Sequence, residues 1–202
     1  MAAQTAAMGF SAHSGWAAMV VLSNNAARLS ILARSRIDLI DARDPDSKYP
    51  YHTVEFLGLE AAALRLTEYM TVAEGLAYSA INAQRAALSE QGFTLTSVGI
   101  LDSLGRKPSP LATTLASHAF IHGAEGAHFR NALSAAAQRN GLKVYRTPAR
   151  TLESHAVQRL QLPLPRVLDT VHGLGRQVGP PWGADRKKAA LLAWIMLTAS
   201  GT

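Results

Sequence analysis

The chain contains no cysteine. That excludes a disulfide scaffold, a thiolate-ligated zinc site and a thiol nucleophile together. Aromatic residues make up only 6% of its 202 residues, so a core must rest on Ala, Leu, Ile and Val. Charged residues stand at 17%, against about 25% in an ordinary soluble domain. Long apolar runs are missing too. Ala189–Ala199 is apolar all round but short. A bilayer span needs roughly 20 residues, so this segment reads as a helix buried on all sides. Met1–Ala27 carries no charge, but it lacks the basic start and the cleavage site of a signal peptide. The expected location is the cytoplasm, with no membrane partner. Hydrophobic residues reach 48%, which excludes a disordered tail and suits one domain over 1–202.

The charge that is present is unevenly placed. Formal net charge is +6. Residues 1–104 hold 7 basic and 10 acidic side chains, whereas residues 105–202 hold 13 and 4. So basic a C-terminal half fits an acidic partner such as nucleic acid, a nucleotide or an anionic surface. A soluble protein of high isoelectric point fits it equally. Arg139, Lys143, Arg146, Arg150 and Arg159 recur through one stretch and are the candidate nucleic-acid contacts. A solvated face is the alternative.

The order of elements is more informative. Residues 8–12 predict a short strand, and His13-Ser14-Gly15 a tight connection. Trp16–Leu22 is an apolar run of strand length, followed by the turn residues Ser23-Asn24-Asn25. Leu29, Ile31 and Ala33 alternate with Arg28, Ser30 and Arg34, as in a strand with one wet face. Ile37–Ile40 extends it after a bulge. Asp41–Thr53 reads as a surface connection. A long Ala-rich helix is expected over 54–91, kinked near Thr71–Gly75. Phe93–Leu101 predicts a strand, Asp102–Pro110 a loop and Leu111–Asn140 a second long helix. Leu142–Tyr145 predicts a short strand, and Thr147-Pro148 the start of a third helix. Gln161–Pro165 and Gly173–Gly183 are rich in breakers, and Asp185 opens the last helix. The pattern β-β-β-α-β-α-β-α with right-handed crossovers gives an α/β fold. Its expected form is a five-stranded mixed sheet, order 3-2-1-4-5, with helices on both faces.

Short motifs sharpen this. Gly9-Phe10-Ser11 is followed by Ser14-Gly15-Trp16-Ala17 and the apolar Met19–Leu22. Later come Val98-Gly99-Ile100-Leu101, Ala124-Glu125-Gly126 and Asp185-Arg186-Lys187-Lys188-Ala189-Ala190. In this order the chain resembles the ribonuclease H-like fold, and within it the RuvC Holliday-junction nucleases. The family's motifs read Gly-Ile-Asp, Thr-Gly-Tyr/Trp-Gly, Val-Ala-Ile-Glu, Ala-Arg-Gly and Asp-x-x-Asp-Ala-x-Ala. The resemblance covers most of the chain and implies a protein that binds or processes nucleic acid. It also implies a departure. The family's reaction takes about four carboxylates around two divalent ions. The matching positions here are Ser11, Leu101, Asp185 and Lys188, with Asp102 one residue past the second. Serine, leucine and lysine cannot hold a hard dication, so the two-metal site is expected to be degenerate.

Other residues offer chemistry. His118, His122 and Glu125 fall at i, i+4 and i+7, on one face of a helix. With Asp185 they form the expected ligand set for one divalent metal, zinc, manganese or magnesium. Hydrogen-bonded histidines that bind nothing are the alternative. Gly123 and Gly126 are expected to let this helix pack closely on the sheet or a ligand. The resemblance places His13 beside Ser11 and Asp185. His13, His122, Glu125 and Asp185 are thus the catalytic candidates. Trp182 either caps the core or stacks a base. Three functions stay open: nucleic-acid binding or processing, a metal-dependent hydrolase on the histidine face, and a non-catalytic scaffold subunit. A homodimer is compatible with each.

Overall fold

The computed structural model describes residues 4–25, 28–103 and 109–199. Its central strand, β1 (Gln4–His13), pairs antiparallel with β2 (Trp16–Asn25), which pairs antiparallel with β3 (Arg28–Asp38). On its other edge β1 runs parallel to β4 (Phe93–Asp102), and β4 parallel to β5 (Lys143–Pro148). The sheet order β3-β2-β1-β4-β5 is the one expected. Gly15 turns the chain between β1 and β2 at φ +80°, where a side chain would be strained. That turn seats His13 opposite Trp16.

Strand alternation sends successive residues to opposite faces. Met8 and Phe10 of β1, Met19 and Val21 of β2, and Val98 and Ile100 of β4 share one buried cluster. It is covered by α2 (Leu59–Glu90) and α4 (His118–Arg139), which contribute Ala77, Ile81, Phe129 and Leu133. Ala7, Val20 and Leu22 face the other way. They are covered by α5 (Leu152–Leu160), α6 (Leu164–Val178) and α7 (Ala184–Ala199). Two short helices, α1 (Pro50–Thr53) and α3 (Leu111–Leu115), precede α2 and α4.

The approach of α7 depends on glycine. A Cβ at Gly9 would stand 1.9 Å from the Ala189 carbonyl oxygen, and one at Gly99 would stand 3.0 Å from Leu192 Cβ. Bare positions on neighbouring strands let α7 sink onto the sheet. Its residues Ala189 to Met196, Trp194 included, are buried as the sequence led one to expect. Among the described residues no helix is long and apolar enough to cross a membrane.

Several boundaries differ from expectation. The strand expected at 8–12 spans Gln4–His13, and that at Leu142–Tyr145 becomes Lys143–Pro148. Thr147 and Pro148 pair with β4 instead of opening a helix. Proline is tolerated at the end of an edge strand, where its missing N–H breaks no ladder. The helix expected over Leu111–Asn140 is divided at Ser117, whose backbone is extended (φ −143°, ψ 114°). α2 runs through Gly75 without interruption. The breaker-rich stretch from Gly173 lies partly inside α6, which runs to Val178. There Gly175 is a packing device: a Cβ would come within 2.6 Å of the Trp182 ring. The loop expected at Asp102–Pro110 falls at 104–108 outside the described residues.

Candidate functional site

At the C-terminal end of β1, Ser11 lies on the face that meets α7, whose first turn carries Asp185. Ser11 Oγ donates to Asp185 Oδ1 at 3.0 Å, and His13 Nε2 lies 2.9 Å from the same oxygen. The expected meeting of Ser11, His13 and Asp185 is therefore present. Partial burial pushes the Asp185 carboxyl up, but the bonds from His13 and Ser11 and the charges of His13 and Lys188 outweigh it. The carboxyl is held below the usual range, so it is ionised at neutral pH and a weak base. It also stands between the serine and the histidine. Relay through an imidazole to a serine nucleophile needs the opposite order, with the histidine in the middle.

The neighbouring elements hold this group in place. Arg34 of β3 donates to the carbonyls of Val178, Gly179 and Pro181 at 2.8–2.9 Å, tying the α6–α7 connection to the sheet. The His13 ring stacks on Trp16 at 4.5 Å, and the Arg36 guanidinium lies 4.4 Å from the Trp16 ring centre. A shallow cleft of about 270 Å³ opens between Trp16, Ser35, Arg36, Asp185 and Arg186. Arg34, Trp16 and Arg36 were not candidates from the sequence. Arg34 read there as a strand residue and Trp16 as part of a strand and of the Ser14–Ala17 motif, and tertiary packing brings all three to the start of α7. Trp182 faces inward, its Nε1 donating to the Val171 carbonyl at 2.9 Å. It is partly buried and packs against the core cluster under α7.

Asp102 ends β4, beside β1 at the same end of the sheet. Arg130 Nε lies 3.0 Å from its Oδ1, and Arg146 Nε donates to its Oδ2 at 3.0 Å. Arg146 also donates to Oδ1 and to Asn131. Burial pushes the Arg130 guanidinium down while Asp102 opposes the shift. Gly126, expected to serve helix–sheet packing, instead makes room for this guanidinium: a Cβ would stand 2.9 Å from Arg130 Nη1. At Gly123 a Cβ would meet nothing within 4 Å, so close packing does not explain that glycine.

A second group lies on α4, on the opposite face of the sheet from α7. His118 and His122 meet as their spacing foretold, Nε2 to Nε2 at 3.0 Å. Glu125 is buried, and its Oε1 accepts from His52 Nδ1 at 2.8 Å and from the His52 backbone N–H at 3.3 Å. His52, on α1, was missed. All of α2 and β4 separate it from His118 in the chain, and no spacing rule links positions that distant. One ring nitrogen from each of His52, His118 and His122 falls within 4.8 Å of the others. Asp185 does not join them: its carboxylate is engaged by Ser11 and His13 across the sheet.

The five expected nucleic-acid contacts are exposed but do not act alike. Arg146 is committed to Asp102, and Arg139 lies over the Tyr78 ring at 4.4 Å. Lys143 opens β5, at the end of the sheet away from Asp185, whereas Arg150 follows β5 at the near end.

A five-stranded mixed sheet with an antiparallel β1–β3 meander, two parallel strands and helices on both faces defines the ribonuclease H-like fold. Comparison with solved structures gives its particular form. Thermus thermophilus RuvC is similar at a TM-score of 0.54 and 11% identity, over 96% of this chain and 95% of that one. T. thermophilus RuvC in complex with a Holliday junction substrate gives 0.55 and 10%, over 97% and 94%. The yeast mitochondrial Holliday junction resolvase Ydc2 gives 0.48 and 10%, over 98% and 81%. The fold is RuvC-like. No protein-family model matches the sequence, and no curated protein matches it.

Proposed function

We propose that this chain is a RuvC-like nucleic-acid-binding protein, one ribonuclease H-like domain over 1–202, in which the two-metal centre is degenerate. The observation that carries the reading is the double ion pair of Asp102 with Arg130 and Arg146. A pair of hard cations needs several free carboxylate oxygens. Here Asp102 is occupied by two guanidinium groups, and Asp185 by a hydroxyl and an imidazole. Leu101 offers no oxygen, and the Lys188 charge acts on Asp185 where a ligand would be required. The residues do not fit the metal pair, and no hydrolytic step runs through it.

The same arrangement suits binding. Carboxylates without metal would repel a phosphate backbone. Neutralised from within the protein they do not, and Arg186, Lys188 and Arg150 leave the balance at this end of the sheet cationic. Affinity is then largely electrostatic and falls steeply with salt.

Fluorescence anisotropy with a four-way DNA junction, a duplex and a single strand over a salt series tests this. We expect a linear fall of log K with log salt. Changing Arg150 and Arg159 to Ala should lower the slope by about 2, roughly 0.9 for each phosphate no longer neutralised. No cleavage should accompany binding in Mg²⁺ or Mn²⁺. Absence of binding at low salt would overturn the proposal, as would metal-dependent cleavage that Asp185→Asn abolishes.

A further inference from the structure

We propose that His52, His118 and His122 form a binding site for a single zinc ion, with Glu125 as the residue that positions His52. The site is separate from the sheet-end cluster and does not depend on the nucleic-acid reading.

Geometry comes first. The three rings converge with centroid separations of 5.2, 4.9 and 4.4 Å. The His118 and His122 Nε2 atoms are 3.0 Å apart, and the three ligand nitrogens lie within 4.8 Å of one another. Nitrogens bound to one tetrahedral zinc at 2.0–2.1 Å stand about 3.3 Å from each other. Small rotations of two exposed side chains therefore bring all three to bonding distance.

Protonation comes next. The 2.8 Å contact engages His52 Nδ1 with the Glu125 carboxyl, which suits a proton on Nδ1. Its Nε2 lone pair is then available for a metal. A carboxylate on the far nitrogen of a ligating histidine fixes the tautomer and raises its basicity. The burial of Glu125 supplies an independent reason. Its side chain is only 4% exposed, and His52 is its ion-pair partner among the described residues. This buried carboxylate has two hydrogen bonds from His52 and gains further from a counter-charge. A dication on the other side of that imidazole provides it.

The donor set selects the metal. Three imidazoles suit zinc, whereas magnesium demands oxygen ligands and keeps its waters. Three protein ligands leave a fourth position open, and His118 and His122 are exposed, so that position faces solvent. The ion would join α1 to the start of α4, adding to the His52–Glu125 contacts and the Tyr51–His128 ring contact between these helices.

The test uses the full chain without a histidine tag. Isothermal titration with Zn²⁺, checked by elemental analysis after dialysis, should give one equivalent, undiminished by millimolar Mg²⁺. Cobalt in place of zinc should show the visible absorption of a tetrahedral site. His118→Ala and His122→Ala alter exposed side chains and should fold normally, yet each should lose stoichiometric binding. Glu125→Gln should keep one equivalent at about 10–100-fold lower affinity. Zn²⁺ should raise the melting temperature of the wild type and not of His122→Ala. Less than a tenth of an equivalent in the wild type would overturn the proposal. So would wild-type affinity in either histidine variant.

Discussion

Replacing Gly9 with alanine tests the packing that creates the sheet-end cluster. The new Cβ would stand 1.9 Å from the Ala189 carbonyl oxygen and 2.8 Å from its carbon. Both are backbone atoms of a buried helix, so no side-chain rotation relieves the clash. To restore an ordinary separation of 3.4 Å, α7 must lift by about 1.5 Å, and a gap of even about 0.5–1 Å forfeits a quarter to a half of a contact's dispersion energy. Leu191, Leu192, Trp194, Ile195 and Met196 are all buried on α7, and each contributes about 1.5–3 kcal/mol by burial. Forfeiting a half of that predicts a cost of about 4–7 kcal/mol, above the usual range of about 1–3 kcal/mol for overpacking. Urea unfolding should show a lower midpoint at unchanged slope. Gly75→Ala is the control. It lies inside α2, and its Cβ would meet nothing within 4 Å, so it should add about 0.5–1 kcal/mol. A Gly9→Ala protein within about 0.5 kcal/mol of wild type, the usual scatter of innocuous substitutions, would refute the steric account. A Gly75→Ala destabilisation as large as that at Gly9 would show that steric conflict is not the cause.

Two further outcomes follow from the core. Trp194→Ala should cost about 3–5 kcal/mol in the same melt, and a change below about 1 kcal/mol would contradict its burial. His128 is buried between the Tyr51 and Phe129 rings, and burial pushes its imidazole down to about 4. The unfolded chain takes up that proton near pH 6.5, the folded chain only near pH 4. This contribution is therefore complete above about pH 6.5 and is lost as pH falls towards 4, by at most about 3 kcal/mol. Unfolding free energy measured across that window should fall in wild type and less steeply in His128→Gln. Parallel curves would refute the assignment.

Local pattern determined much of this protein. The apolar run Trp16–Leu22, the alternation of Leu29, Ile31 and Ala33, the turn at Gly15 and the α/β order with right-handed crossovers were enough for the sheet order, because strand and helix periodicities are properties of neighbouring residues. The pairing of His118 with His122 followed from one helical turn. Glycine was the least legible residue. Gly175 read as a breaker but seats Trp182, and Gly126 read as a packing site but houses the Arg130 guanidinium. A missing side chain says nothing about what fills its place. The meeting of Ser11, His13 and Asp185 was expected from the resemblance, but tertiary structure decided how the sites are completed. It brought His52 to His118 across a long stretch of chain, gave Asp102 to Arg130 and Arg146, and kept Asp185 with Ser11 and His13. Asp185 was expected beside the α4 histidines, yet α4 and α7 cover opposite faces of one sheet. Sequence spacing reports the face of a single helix; which face of the sheet that helix covers is fixed by packing between elements far apart in the chain.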